Sequence, residues 1–212
     1  MGVGGVILLL ILSVVFHRNF FALFNSAPAA DRPVAASAPD SSAQGDEKVQ
    51  FVSFVLDDVQ HTWENLLPSQ AGRPYRHAKL VLFRDAISSG CGLAQSATGP
   101  FYCPEDEKVY IDLSFYDELS NRFGAPGEFA EAYVIAHEIG HHVQKILGIE
   151  GKVQRLRENN PAEANPLSVK LELQADCFAG VWGNSTEQRK IIDQSDISAG
   201  LRAAAAVGDD RL

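Results

Sequence analysis

Three residues of the segment "AHEIGHHVQ", residues 136–144, have types and a spacing that suit metal chemistry. His137 and His141 are four residues apart, which places both imidazoles on one face of an α-helix with about 5–6 Å between their Cβ atoms. Glu138 is rotated by about 100° from His137 around such a helix, so its carboxylate can lean toward a metal-bound water without being a ligand. HExxH is a short pattern, and a helix with two core histidines is the alternative.

A second segment, "SVKLELQADCFAGVW" at residues 168–182, contains two carboxylates, Glu172 and Asp176, four residues apart like the two histidines. Glu172 and Asp176 lie on one face of a predicted helix that is apolar nearly all round, where like charges repel and burial is costly unless each is paired or binds a metal. We therefore predict that His137, His141 and Glu172 bind Zn²⁺, although iron or cobalt could take the same ligands. Asp176 would accept the N–H of a ligating histidine.

The segments around these two motifs predict a mostly helical α+β fold with a small sheet. Residues 128–148 predict a helix that is apolar around most of its circumference and therefore largely buried. Residues 49–67 predict a helix with one apolar face, and residues 79–83 predict a strand. Residues 108–115 alternate like a half-exposed strand, a pattern that suits a sheet edge. A substrate peptide could add beside residues 109–113, and an ordinary amphipathic strand is the favoured alternative. Residues 148–168 are expected to form a solvated connecting loop.

The N-terminal part of the sequence differs from the rest. The apolar runs "VILLLILSVVF" and "FFALF" lie within residues 1–24, and a bilayer span needs about 20 apolar residues. We predict an uncleaved N-terminal membrane anchor there, with a cleaved signal peptide as the alternative because "APA" at residues 27–29 has the form of a cleavage site. Residues 25–48 are rich in Ala, Pro and Ser and predict a disordered linker. The folded domain would then span residues 49–212.

Charge and cysteine usage limit the partners and the compartment. The net charge of −9, without a cluster of Lys or Arg, excludes nucleic acid as an expected partner. Behind an export segment, Cys91 and Cys103 are expected to form a disulfide that closes a Gly- and Ser-rich loop. Arg18, after the apolar run, weakly favours a cytoplasmic domain. We give the cysteines more weight and predict a single-pass protein of the cell membrane with its domain periplasmic or otherwise extracytoplasmic.

The runs "GPFYCPEDEKVYIDLSFY", "HEIGHHVQ" and "ELQADCFAGVWG" together resemble the bacterial neutral zinc metallopeptidase family, whose members are membrane-anchored and contain HExxH. The resemblance covers about residues 49–212. It implies a zincin-like fold whose active-site helix carries HExxH. It also implies His137, His141 and Glu172 as metal ligands. Glu138 would be the catalytic residue.

The expected function is zinc-dependent hydrolysis of peptide bonds in a peptide or protein substrate, by a water that Zn²⁺ and Glu138 activate. The alternative is a non-catalytic, zinc-stabilised, membrane-anchored module that binds a partner protein and does not need Glu138. Family members continue past "AAAVGDDRL" into a region with a further His, an Arg and a Cys, so we expect the C-terminal part of the domain to be missing here and Cys177 to lack a partner. His61, His77 and His142 are candidates for oxyanion stabilisation by residue type alone.

Overall fold

The computed structural model describes residues 43–95, 99–115 and 127–207. Within them the order of elements is helix α1, strands β1 to β5, and helices α2 to α5, with a short 3₁₀ helix before α4. The helices are α1 (Ala43–Ala71), α2 (Glu128–Leu147), α3 (Ile149–Asn159), the 3₁₀ helix (Pro161–Glu163), α4 (Ala164–Gln188) and α5 (Gln194–Val207). The strands are β1 (Lys79–Phe83), β2 (Ala86–Ser89), β3 (Gly92–Gln95), β4 (Phe101–Cys103) and β5 (Lys108–Asp112). The mostly helical, zincin-like α+β fold predicted from the sequence is confirmed.

The chain divides into two units, Met1–Gly45 and Asp46–Leu212, and the second holds all the elements discussed below except the first three residues of α1. The predicted anchor, residues 1–24, and most of the predicted linker lie outside the described residues. Helix α1 begins at Ala43, ahead of the start expected at residue 49. Among the helices described, none is both long and apolar enough to cross a bilayer.

Helix α2 lies in the core and packs against α4 and α5. Val134, Ile135 and Ile139 are fully buried, so the helix is enclosed around most of its circumference, as predicted. Two glutamates in its first turn suit the positive end of the helix dipole. Gly148 ends the helix in the left-handed conformation with φ 71°, which glycine adopts without strain. The HExxH segment therefore lies in a helix held rigidly on several sides.

Strand β5 is the central strand of a three-stranded sheet, so the prediction of a half-exposed edge strand was wrong. Its neighbours are β1, which is parallel to it, and β4, which is antiparallel. Val109, Tyr110 and Asp112 are all at most 2% exposed. The alternation was misleading because the second face is buried as well, where the Tyr110 hydroxyl donates to Asp106 at 2.6 Å. Residues 108–110 are paired on both sides, so no free edge is left there for a substrate peptide.

The disulfide expected between Cys91 and Cys103 is present. It connects the turn between β2 and β3, which form a two-stranded antiparallel hairpin, to the end of β4. Closing a loop of this length contributes on the order of 3 kcal/mol by constraining the unfolded chain. Cys177 is free and exposed.

The connection between the two motif-bearing helices is helical, where a loop was expected. Helix α3 has no buried residue, but Ile149, Val153 and Leu156 are at helical spacing, a signal that the prediction of a loop did not weigh. Helix α4 is also more exposed than predicted: Ala175, Ala179 and Trp182 are buried, but Leu173 is 59% exposed. Only one face of α4 therefore contacts the core.

Asp58 links α1 to α4 and to the residue that follows α4. The indole N–H of Trp182 donates to Asp58 Oδ2 at 2.8 Å, and the guanidinium of Arg189 forks onto both carboxylate oxygens. The hydrogen bond from Arg189 lowers the pKa of Asp58 against the opposing effect of burial. The ionised form of Asp58 therefore stabilises the folded state.

Replacing Asp58 with Asn is expected to lower the free energy of unfolding by about 1.5–3 kcal/mol at pH 7, the range for hydrogen bonds to charged groups. Because the pKa of Asp58 is lowered in the folded state, its contribution is full above the unfolded pKa of about 4 and is lost as the pH falls through the folded pKa. Urea denaturation of both proteins from pH 7 down to pH 3 measures this. A difference between them that stays constant with pH would contradict the assignment.

Candidate metal centre

Three side-chain atoms from two helices meet at one point. Glu172 Oε2 on α4 lies 3.2 Å from His137 Nε2 and 3.3 Å from His141 Nε2 on α2. These three residues can place one ligand atom each within 4.8 Å of the others. The two imidazole rings are nearly perpendicular, at 84°, with centroids 4.9 Å apart. The structure thus brings together the three residues predicted as ligands.

The spacing of these atoms fits a tetrahedral zinc site. Zinc bonds to imidazole nitrogen and carboxylate oxygen at about 2.0–2.1 Å, which places two ligand atoms of a tetrahedron about 3.3 Å apart. The distances from Glu172 to His137 and His141 are close to that value. Two imidazoles and one carboxylate are a common donor set for catalytic zinc, and they leave a fourth position open.

Gly140 allows α2 and α4 to approach closely enough to form this triad. A Cβ atom at Gly140 would lie 2.9 Å from the main-chain oxygen of Ala175 and 3.0 Å from its Cα. Both are backbone atoms, so they cannot move aside without displacing the helix. Gly140 lies between the two histidines in sequence, and Ala175 lies between the two carboxylates, so the contact point is the middle of the site.

Asp176 contacts the ring nitrogen of His137 that faces away from the triad. The distance from His137 Nδ1 to Asp176 Oδ1 is 2.9 Å, and the Tyr133 hydroxyl donates to the same oxygen at 2.7 Å. An ionised carboxylate only accepts, so Nδ1 carries the proton and Nε2 faces Glu172. This is the contact predicted for Asp176. Tyr133 was missed, although it lies one helical turn before His137.

The charges of the triad depend on one another. Burial lowers the pKa of His137, but the hydrogen bonds to Asp176 and Glu172 outweigh it and raise the pKa to about 10. Burial would raise the pKa of Glu172, but its hydrogen bonds to His137 and His141 hold it well below the usual range. The site therefore favours anionic carboxylates around a positive centre, which is the electrostatic environment that a divalent cation requires.

Glu138 is buried beside the triad, with 4% of its surface exposed. The main-chain N–H of Tyr102 on β4 donates a hydrogen bond to it, and burial raises the pKa of its carboxyl group. The electrostatic influence of His137 and His141 on that carboxyl opposes the shift. Glu138 is therefore not a solvent-exposed surface residue. It is buried, and the edge strand β4 donates a hydrogen bond to its carboxyl group.

The two carboxylates on α4 are less buried than the sequence suggested. The side chains of Glu172 and Asp176 are 29% and 25% exposed. Their mutual repulsion is therefore weaker than it would be in a fully buried helix. The contacts of Glu172 and Asp176 with His137 account for the position of these two carboxylates better than burial does.

Gln144 is a member of the site that the sequence reasoning missed. Its side chain contacts His141 Nδ1 at 3.0 Å and also reaches α4, where its amide donates to the main-chain oxygen of Leu171 at 2.7 Å. Its position three residues after His141, on the same helix face, was the available signal.

The other histidines in the described residues have partners away from the triad. His61 is largely exposed and its Nδ1 lies 2.8 Å from the Asp57 carbonyl, and His77 Nε2 lies 2.6 Å from Glu64. His142 donates from Nε2 to the Arg76 carbonyl at 2.6 Å and accepts at Nδ1 from the Tyr102 hydroxyl at 2.9 Å. Burial lowers the pKa of His142, which suits this neutral role. Nothing in the described residues makes one of the three an oxyanion donor.

Comparison with known proteins identifies the family to which this chain belongs. The model of the family described as "Putative neutral zinc metallopeptidase" matches residues 1–212, so the chain belongs to that family of zinc peptidases. It is 47% identical over 214 residues to "Uncharacterized protein YpfJ" of Escherichia coli (strain K12), an alignment that covers 100% of this chain and 73% of that protein. It is 41% identical over 167 residues to "Uncharacterized protein Rv2575" of Mycobacterium tuberculosis (strain ATCC 25618 / H37Rv), covering 74% of this chain and 54% of that protein. No solved structure matches it.

Replacing Gly140 with Ala is expected to push α2 and α4 apart, because the new Cβ meets backbone atoms of Ala175. We expect a loss of about 1–3 kcal/mol in the free energy of unfolding, as for an overpacked core, together with weaker zinc binding. The matched control is Gly180→Ala on α4, where a Cβ has nothing within 4 Å. That variant should gain up to about 1 kcal/mol from helix propensity and bind zinc normally. Equal zinc affinity in both variants would show that the triad does not depend on the close contact at Gly140.

Proposed function

We propose that this chain is a zinc-dependent peptidase in which His137, His141 and Glu172 hold Zn²⁺ and Glu138 is the general base. The observation that carries the proposal is the meeting of His137, His141 and Glu172, with both distances from Glu172 close to the tetrahedral value, beside the buried carboxyl group of Glu138. Membership of a zinc metallopeptidase family supports this proposal. It also supports a peptide or protein as the substrate.

When bound, Zn²⁺ would supply a Lewis acid that polarises the scissile carbonyl and lowers the pKa of the attacking water toward 7. The carboxylate of Glu138 accepts a proton from that water as the water oxygen bonds to the carbonyl carbon. Burial favours the neutral carboxylic acid of Glu138, so the proton can be held there. Glu138 then donates it to the amine nitrogen as the C–N bond breaks.

Two neighbouring groups keep these residues in place during the reaction. Asp176 holds the proton on Nδ1 of His137, so Nε2 remains available to the metal. The N–H of Tyr102 fixes the direction of the Glu138 carboxyl group relative to the two imidazoles. Neither group needs to move as the proton is transferred.

The non-catalytic zinc module explains less of the site. Such a module needs the three ligands but not a fourth titratable group among them. Burying a carboxyl group costs free energy unless it is compensated, yet Glu138 is 4% exposed and receives a hydrogen bond from the edge strand. A structural zinc site offers no reason for that arrangement, whereas a general base requires it.

Metal analysis by mass spectrometry combined with two variants tests the proposal. The wild-type chain should bind about one zinc, as one three-ligand site requires, and Glu172→Gln should lose most of it because a neutral amide is a poor zinc ligand. Glu138→Gln should keep the zinc and fold normally, but lose about 10²–10⁴-fold in peptide hydrolysis, the usual contribution of a general base.

The two variants also separate the alternatives. If Glu138→Gln hydrolyses a casein or peptide-library substrate as fast as the wild type, Glu138 is not the base. If zinc binds but neither protein hydrolyses any peptide, the non-catalytic module becomes the better account. A folded wild-type chain that binds no zinc would exclude both.

We further propose that the domain is extracytoplasmic and anchored to the cell membrane through residues 1–24. The disulfide Cys91–Cys103 supports this location, because such bonds persist in oxidising compartments. Cells lysed directly into a denaturing buffer that contains an alkylating reagent provide the measurement, because Cys103 is fully buried in the folded chain. Cys177, free and exposed, should be modified, whereas Cys91 and Cys103 should react only after reduction. Modification of all three without a reductant would indicate a cytoplasmic domain.

A further inference from the structure

The side chain of Gln144 is buried between α2 and α4, with 1% of the residue exposed. We propose that Gln144 is a positioning residue for His141, which it holds in the tautomer that presents Nε2 to the metal. This inference rests on the zinc site proposed above. Asp176 positions His137 through Nδ1, and His141 needs a comparable partner.

The orientation of the Gln144 amide follows from its backbone partner. The main-chain oxygen of Leu171 lies 2.7 Å from one amide atom of Gln144, and a carbonyl oxygen can only accept. The amide atom facing Leu171 must therefore be Nε2, which also donates to Gln174 Oε1 at 3.2 Å. The remaining amide atom, Oε1, is the one that faces His141.

The tautomer of His141 follows in turn. Gln144 Oε1 lies 3.0 Å from His141 Nδ1 and can only accept, so Nδ1 carries the proton. A neutral imidazole protonated at Nδ1 has its lone pair at Nε2. Nε2 of His141 is the atom that lies 3.3 Å from Glu172 Oε2, in the triad. Because Gln144 is almost fully buried, water cannot readily replace it and allow the other tautomer.

The same side chain also sets the register of α4. Leu171 immediately precedes Glu172, so the hydrogen bond from Gln144 holds the backbone next to the third ligand. The partner of His141 is thus a neutral amide, whereas the partner of His137 is the carboxylate of Asp176. This choice adds no third carboxylate to Glu172 and Asp176 near Glu138. Each imidazole still has a hydrogen-bond partner at its Nδ1.

Zinc affinity of the full chain, measured by competition with a chromophoric chelator, tests this role. Gln144→Met keeps the length of the side chain but removes the acceptor for His141, and we expect zinc affinity to fall about 10–100-fold, as for loss of other groups that orient metal ligands. Gln174→Met is the matched control, since it removes only the second acceptor of the Gln144 amide. It should retain zinc affinity within a few-fold.

Long-range ¹H–¹⁵N correlation NMR of the zinc-loaded wild-type chain provides a second readout that does not require a variant to fold. The spectrum should show His141 protonated at Nδ1, with a proton that exchanges slowly with solvent, and ligated through Nε2. In Gln144→Met that proton should exchange rapidly. Ligation of His141 through Nδ1 in the wild-type chain would overturn the inference.

The outcomes separate this inference from the proposed function. If the wild-type chain binds no zinc, the proposed site itself fails. If it binds zinc and Gln144→Met binds it equally well, the site stands and the role of Gln144 is refuted. Equal losses in Gln144→Met and Gln174→Met would show that Gln144 only joins the helices, which also refutes a positioning role.

Discussion

The contact between Gly140 and the backbone of Ala175 is the constraint on which the rest of the site depends. Each helix carries two polar residues four positions apart, and such pairs form a row along one helix face. The two rows meet only if the helices are close enough for a carboxylate to reach between two imidazoles. At Gly140 there is no side chain to prevent it. Any larger residue there would separate the two imidazoles from the two carboxylates.

That close approach brings several ionisable groups together beside the apolar core, where the histidines and the carboxylates stabilise one another's charges. His137 lies between two carboxylates, and the pKa shifts of these groups oppose one another in sign. Val134 and Ile135, on the same helix as the imidazoles, are fully buried and hold that helix in the apolar core. A rigid apolar frame around a polar cluster is what a metal site needs to keep its geometry.

The parts that could be predicted from the sequence are those set by local periodicity. Helix α2 ends one residue before the predicted end, and β1 has the predicted bounds. The central position of β5 could not be predicted, because burial of Tyr110 depends on neighbours distant in sequence. Helix α3 had only the helical spacing of Ile149, Val153 and Leu156 as a signal, and it buries no residue. Gln144 was missed because an amide becomes informative only when its backbone partner, Leu171, is known.

Tyr102 connects the sheet to Glu138, a contact that no local sequence pattern predicts. Its main-chain N–H holds Glu138, and its hydroxyl donates to His142, which in turn donates to the Arg76 carbonyl. The next residue, Cys103, is fully buried and forms the disulfide. The covalent link therefore constrains the strand immediately beside Tyr102, whose N–H holds Glu138. In this arrangement the disulfide serves the position of Glu138 as well as the stability of the fold.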